Sequence, residues 1–284
     1  AEGGTVTYTA TVGAPVTGSP VVVTLANGQT ITIEVGKTTG TVTTTAPNDA
    51  LNGHEPLSNS ITGVTGGNYE NLVANQTPAV TSVTDVKDTT TLSLSASDSV
   101  AEGGSIVYTA TLTNPAGTPV TVTLSNGSVI TIEAGKTTGT VTVPAPADDV
   151  YKDAGKVEVT IKDATGGNFE NLVPSTTPAI TTITDSIDTT TVTLTAGSTV
   201  TEGGQITYTA KLTNPAASAV TVTLSNGQTV TVEAGKTQGS VDFQTPANDV
   251  YNNGSTVNVT IDKATGGNFE QLTPDPTPAS TAIQ

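Results

Sequence analysis

Glu-Gly-Gly stands at residues 2–4, 102–104 and 202–204, and Gly-Gly-Asn at 66–68, 166–168 and 266–268, so this chain of 284 residues is one unit of 100 residues written three times. A fixed period of this length decides the architecture before any local reading, because each unit must bury a core of its own and meets its neighbours in the chain. A hundred residues suffice for one small domain. The pitch predicts copies that align without insertion or deletion. A catalytic centre is seldom needed three times at fixed spacing, whereas a chain that must cover distance is built this way.

Within the central copy, Leu92 and Leu94 alternate with serine, and Ile106, Tyr108, Ala110 and Leu112 share one face while Val107, Thr109 and Thr111 take the other. Val120, Val122 and Leu124 alternate with threonine, and Asn126-Gly127 then predicts a two-residue hairpin. Ile130 with Ile132, Val141 with Val143, Val157 through Ile161, and residues 179–184 complete the set. Period-two alternation of β-branched residues marks strands with one packed face. Seven such strands per 100 residues predict an all-β fold of tandem seven-stranded antiparallel immunoglobulin-like β-sandwiches, arranged end to end as an extended rod. The links 84–89 and 184–189 hold two residues between their aspartates and no glycine, too few for free swinging.

Two phasings are compatible with the repeat. One gives domains at 1–87, 88–187 and 188–284, the first without its opening strand and the third without its last residues. The other runs from one Glu-Gly-Gly to the next and makes the first copy whole. We prefer the former. Both ends fall inside repeats, so the chain reads as part of a longer one.

Twenty-five acidic residues face nine lysines and no arginine, for a net charge of −16. That excludes a nucleic-acid groove, which needs cations to neutralise phosphate, and opposes binding to anionic membranes. No stretch reaches 18 apolar residues, so no direct membrane insertion is expected. The absence of cysteine removes disulfides and thiolate metal sites. An acidic, cysteine-free, threonine-rich chain suits an exported bacterial protein.

The acids are placed by strand direction. Alternating strands bring the Glu-Gly-Gly turn, the loop after the fifth strand and the terminal aspartates to the same end of a domain. Glu102, Asp148, Asp149, Asp185 and Asp188 therefore converge on one junction, and Glu2, Asn48, Asp49, Asp85 and Asp88 on another. Glu202, Asn248 and Asp249 repeat the pattern in the third copy. The Gly-Gly-Asn loop of the following domain, with Glu170 or Glu270, faces the same gap. Clustered carboxylates repel one another unless a cation sits among them, and calcium takes six to eight oxygens in flexible geometry. The competing reading is that these are solvated acids that cap turns.

Several motifs resemble chemistry without supplying it. Gly135-Lys136-Thr137 lacks the upstream glycine of a phosphate loop and reads as a β-turn. His54, the one histidine, reads as a surface loop residue. Tyr8, Tyr108 and Tyr208 fall on the apolar face as core anchors. Phe169, Phe269 and Tyr69 follow Gly-Gly-Asn and read as plugs at one end of the sandwich. No nucleophile–base pair recurs, so no enzyme is expected.

Glu102-Gly103-Gly104, Leu112-Thr113-Asn114-Pro115, Ala147-Asp148-Asp149-Val150-Tyr151, Gly166-Gly167-Asn168-Phe169-Glu170-Asn171-Leu172 and Thr184-Asp185 together resemble the extender repeats of giant Lap-type, RTX-class biofilm adhesins exported by type I secretion. The resemblance spans essentially the whole chain. It also extends distantly to the Calx-β pattern, where an early Glu-Gly, a central Asp-Asp and a terminal Asp form a calcium site; Glu102, Asp148, Asp149 and Asp185 match it, while Asn48 and Asn248 replace the first Asp of the pair. The resemblance implies a structural extender of a secreted, outer-membrane-associated cell-surface adhesin. Calcium would stiffen its junctions, and neighbouring repeats of a monomeric chain would be its partners. The alternatives are a polysaccharide-binding module, using threonine faces such as Thr121 and Thr123, and homotypic cell–cell adhesion.

Overall fold

The computed structural model describes residues 1–249 and 254–284, and every regular element among them is a strand. The first repeat contains β1 (Thr5–Thr11), β2 (Val21–Leu25), β3 (Thr30–Ile33), β4 (Thr39–Thr45), β5 (Leu57–Asn59), β6 (Ile61–Gly66) and β7 (Ala79–Thr81). The second contains β8 (Thr89–Ala96), β9 (Ser99–Ala101), β10 (Ser105–Leu112), β11 (Val120–Leu124), β12 (Val129–Ile132), β13 (Thr138–Pro144), β14 (Gly155–Val159), β15 (Ile161–Gly166), β16 (Asn171–Pro174) and β17 (Ala179–Thr184). The third contains β18 (Thr189–Thr195), β19 (Thr199–Val200), β20 (Gln205–Leu212), β21 (Val220–Leu224), β22 (Thr229–Val232), β23 (Gln238–Gln244), β24 (Ser255–Val259), β25 (Ile261–Gly266), β26 (Gln271–Pro274) and β27 (Ala279–Ile283).

Two compact units share this chain. One comprises Ala1–Ser95, Thr109–Val141 and Val159–Pro178, and the other Ala96–Tyr108, Thr142–Glu158 and Ala179–Gln284. The first holds the whole first repeat, with sheets β1-β4, β3-β2-β6 and β5-β7, together with β12-β11-β15. The second holds the third repeat, which shows the complete strand set. There β23-β20-β18-β26 forms one layer, and β22-β21-β25 with β19-β27-β24 forms the other.

All seven expected strands are present in the third repeat, but two are broken and one is additional. The opening strand ends at Thr195 and resumes as β19, which pairs in parallel with β27. The sixth is divided at Thr260 into β24, paired with β27, and β25, paired with β21, where the register shifts between Thr223 and Leu224. A bulge at such a point bends the strand and lets one chain segment serve both layers. The addition is β26, parallel to β18. Its four residues carry no alternation that a sequence pattern would reveal.

Two local expectations change. The pitch of 100 is not kept throughout, since Val21 pairs with Ile33 as Val120 pairs with Ile132, an offset of 99 that a later one-residue difference restores. At Asn126-Gly127, only the glycine has positive φ (+85°), and Leu124 N–H donates to Ser128 O at 2.9 Å. The loop therefore has three residues, a type I turn closed by a left-handed glycine, because Asn126 does not adopt the conformation a two-residue turn demands.

In the third repeat the core is a stack of alternating residues, Val192, Ile206, Tyr208, Ala210, Val220, Val222, Val230 and Val232, all essentially inaccessible. Tyr208 is fully buried and its hydroxyl has no hydrogen-bond partner; burial alone pushes its ionisation upward. An unpaired buried hydroxyl carries a desolvation cost of about 1–3 kcal/mol. Tyr208→Phe should therefore leave stability unchanged or raise it by about 1 kcal/mol, whereas Tyr208→Ala should lower it by about 3–5 kcal/mol. Urea denaturation followed by circular dichroism measures both, and a phenylalanine variant that loses more than about 1 kcal/mol would show the hydroxyl to be paired.

Candidate cation sites at the repeat junctions

The junction between the first two repeats lies inside the first unit and begins with backbone. Gly166, Gly167 and Asn168 adopt successive positive φ values of +93°, +84° and +53°. This left-handed run explains the two glycines, and it turns Asn168 and Phe169 toward the preceding repeat. Asn168 O accepts the Asn52 N–H at 2.8 Å, and its side-chain amide donates to Asn52 O at 3.0 Å. Asn52 Nδ2 donates to Phe169 O at 2.7 Å, and Glu170 N–H donates to Ala50 O at 3.1 Å. Leu51 and Phe169 thus form an isolated antiparallel bridge across the junction.

The second unit contains the same construction one repeat later. Lys152 N–H donates to Asn268 O at 3.0 Å, Glu270 N–H to Val150 O at 3.0 Å, and Tyr151 bridges Phe269. The Tyr151 and Phe269 rings stack with centroids 5.7 Å apart, and Tyr151 Oη donates to Pro215 O at 2.6 Å. Phe169 and Phe269 are buried, as expected of plugs, but what they close is a joint with the previous repeat.

Around each bridge the acids gather. At the first junction, Glu2 is 5% exposed. Its Oε2 accepts the Val86 N–H at 2.9 Å and its Oε1 the Asp49 N–H at 3.3 Å. The Val86 bond is the main reason its carboxyl sits below the ordinary value, with Asp49 and His54 adding to it against desolvation. Glu2, Asp85 and Glu170 offer oxygens within 4.8 Å of one another, and Glu2, Asp49 and His54 form a second such group. The Asp88 N–H, at 2.5 Å from Glu170 Oε2, pulls the Glu170 carboxyl down. Desolvation and the neighbouring Glu2 and Asp85 outweigh that bond and leave it raised.

At the second junction, Glu102 is 8% exposed and belongs to two groups of the same kind, with Asp185 and Glu270, and with Asp149 and Asp153. Its carboxyl is pushed up to about 7, first by the hydrogen bond with the Asp153 carboxyl, then by desolvation and by the charges of Asp153 and Asp185. Glu102 Oε2, Asp185 Oδ1 and Glu270 Oε1 are buried without hydrogen-bond partners, as is Glu170 Oε1 at the first junction. Buried carboxylate oxygens left without donors are costly. An oxygen-seeking hard cation satisfies several of them at once, so the residues present fit calcium better than a metal that selects nitrogen or sulfur.

Not every expected acid joins these groups. Asp88 accepts the Asn48 side-chain amide at 3.0 Å, and Asp148 accepts the Ser186 hydroxyl. Asp188 enters through its backbone N–H, which donates to Glu270 Oε2 at 2.5 Å. In the third repeat, Glu202 Oε2 accepts the Asp249 N–H at 3.4 Å, and Asn248 is exposed. His54 corrects its reading as a loop residue on the surface: its side chain is only 14% exposed, it contacts Glu2 Oε1, and it lies 3.8 Å from Asp49 Oδ2. Its presence in a single copy gave no repeat signal. The same holds for Asp153, whose counterpart in the first repeat is Gly53.

The family comparison agrees with this tandem arrangement. The family described as LapA domain matches residues 1–86, 88–186 and 188–284. Among solved structures, the chain is similar to a tetra-tandem repeat in the extending region of a large adhesion protein, at 18% identity and a TM-score of 0.33, covering 100% of this chain and 71% of that one. No curated protein matches the chain.

Proposed function

The chain belongs to the LapA domain family, and on that premise we propose that it is a structural extender of a secreted cell-surface adhesin whose junctions are stiffened by calcium. The observation that carries the extender reading is the family match, which recurs three times and covers nearly every residue. The stiffening reading rests on Glu102, a buried carboxylate with an unpartnered oxygen held among Asp149, Asp153, Asp185 and Glu270.

The mechanism is mechanical. Glu102 is fixed by the backbone of its own repeat through its N–H to Thr184 O at 3.0 Å, whereas Glu270 arrives from the following repeat. A cation bridging the two would cross-link consecutive domains, and without it mutual carboxylate repulsion loosens them. Nothing in this role requires catalysis. No helix among the described residues is long and apolar enough to cross a membrane.

Small-angle X-ray scattering tests the proposal. Each sandwich contributes about 40 Å, from strands of seven residues at ~3.4 Å per residue plus end loops, so three give a maximum dimension near ~120 Å. The expected result is that dimension in calcium and a looser, broader distance distribution in EGTA. An identical profile in both buffers would remove the stiffening role, and a compact particle would remove the extender role.

A further inference from the structure

The two junctions carry equivalent groups that differ in one donor. At the second, Glu102 and Asp149 are joined by Asp153; at the first, Glu2 and Asp49 are joined by His54. Glu2 and Glu102 hold the same place in their repeats, since the Glu2 N–H donates to Thr84 O at 2.9 Å and the Glu102 N–H to Thr184 O at 3.0 Å. Their aspartates match as well, Asp49 and Asp149 each accepting the N–H two residues on, at 2.8 Å and 2.7 Å. Only the third donor changes, from a carboxylate oxygen to an imidazole nitrogen. In the second repeat the Glu102 side chain is buried and its Oε2 has no hydrogen-bond partner, which marks the shared Glu–Asp frame as a place for a cation.

We propose that Glu2, Asp49 and His54 bind a divalent transition metal of the zinc class, which makes this group selective for a different ion from its counterpart at the second junction. Calcium takes oxygen ligands. Zinc accepts imidazole nitrogen and carboxylate oxygen together, with water completing the tetrahedron. All three donors belong to the first repeat, so the site is formed within one domain. The assignment goes beyond the calcium reading, which concerns the all-oxygen groups, and does not depend on it.

The backbone holds these donors in place. Asp49 Oδ1 is engaged by the Leu51 N–H at 2.8 Å, which leaves Oδ2 at 3.8 Å from His54 Nε2. The Glu2 side chain is inaccessible, and its Oε2 is fixed by the Val86 N–H at 2.9 Å. Its Oε1 contacts His54 Nε2 and accepts the more distant Asp49 N–H at 3.3 Å. Each carboxylate thus commits one oxygen to backbone and presents the other, as metal-binding carboxylates oriented by their surroundings do. His54 reaches them because Gly53 is left-handed, at φ +87°, and donates its N–H to Asp85 Oδ2 at 2.8 Å. The His54 side chain keeps 14% of its surface exposed, which gives an ion a way in. Binding replaces the proton shared by Nε2 and Oε1 and releases it to solvent.

The test uses the full chain with isotope-labelled histidine, in saturating calcium so that all-oxygen sites are filled first. Zinc chloride is added and followed by nuclear magnetic resonance and by titration calorimetry. His54 is the one histidine of the chain, so every imidazole signal reports this site. Those signals should move to a bound set that is complete at a single equivalent of zinc. His54→Gln should weaken zinc binding at least about tenfold, the low end of what altering a metal's surroundings costs. Asp163→Asn, at an exposed acid outside the groups, should leave zinc affinity unchanged. Imidazole signals that ignore zinc, equal affinity in His54→Gln, or equal weakening by Asp163→Asn would overturn the proposal. None of these results would touch the calcium response of the scattering profile, and loss of that response would not touch this site.

Discussion

Replacing Gly167 with alanine is expected to cost about 3–4 kcal/mol, against about 1–2 kcal/mol for Gly127→Ala. Both glycines have nearly the same left-handed backbone, φ +84° and +85°, so the strain of a Cβ is matched between them. Their surroundings are not matched. Nothing lies within 4 Å of a Cβ at Gly127, whereas at Gly167 it would fall 2.3 Å from Cε2 and 2.5 Å from Cδ2 of Phe169. The ring must leave its place, and with it goes the Leu51–Phe169 bridge that joins the first two repeats. Urea denaturation of the two variants under the same conditions separates strain from collision. Equal losses would mean that Phe169 yields without consequence and that the Gly-Gly-Asn motif serves only its own turn.

That motif illustrates how much of the fold was legible and where legibility ended. Alternation such as Ile106-Tyr108-Ala110-Leu112 located every long strand, because period two with one buried face leaves a direct mark on the sequence. The short β26 and its counterpart β16 left none that could be read, since in four residues only one aliphatic side chain, Leu272 in β26, packs on the core and a single residue makes no period. The junction acids were legible as far as strand direction reaches: Glu102 meets Asp185 in one group and Asp149 in another. Direction fixes the end of the domain at which a residue lies, but not where its carboxylate points. Thus Asp148 turns to Ser186, and Asp188 contributes its N–H. Glu170 and Glu270 faced the gap by the same reasoning, yet their part in the groups depends on the left-handed Gly-Gly-Asn run that aims them backward.

The second junction is expected to respond to pH in the metal-free protein with a sign opposite to that of ordinary acid unfolding. Glu102 has its carboxyl raised to about 7 in the folded chain, from an unperturbed value of 4.5, chiefly through the proton it shares with Asp153. Between those values the folded state holds a proton that the unfolded state has released, so stability falls as pH rises from 4.5 to about 7 and levels off above. The titration belongs to the Glu102–Asp153 pair and not to either group alone. Glu2 at the first junction has a lowered carboxyl, so its contribution is present above the unperturbed 4.5 and is lost as pH falls through the depressed value. Glu102→Gln should therefore reduce the downward slope above pH 4.5, leaving the smaller part that the raised Glu170 carboxyl contributes at the first junction and leaving the low-pH loss intact, as read from urea midpoints across that range. Calcium should act in the same direction as the substitution, by holding Glu102 ionised, and its uptake near pH 6 should release protons, which titration calorimetry in two buffers of different ionisation enthalpy detects. In Glu102→Gln that proton release should fall, and calcium affinity at the second junction should drop at least about tenfold, about 1.4 kcal/mol of binding free energy. A wild-type slope that persists unchanged in saturating calcium would place the cation elsewhere, because an ion among these oxygens cannot coexist with the proton that Glu102 and Asp153 share.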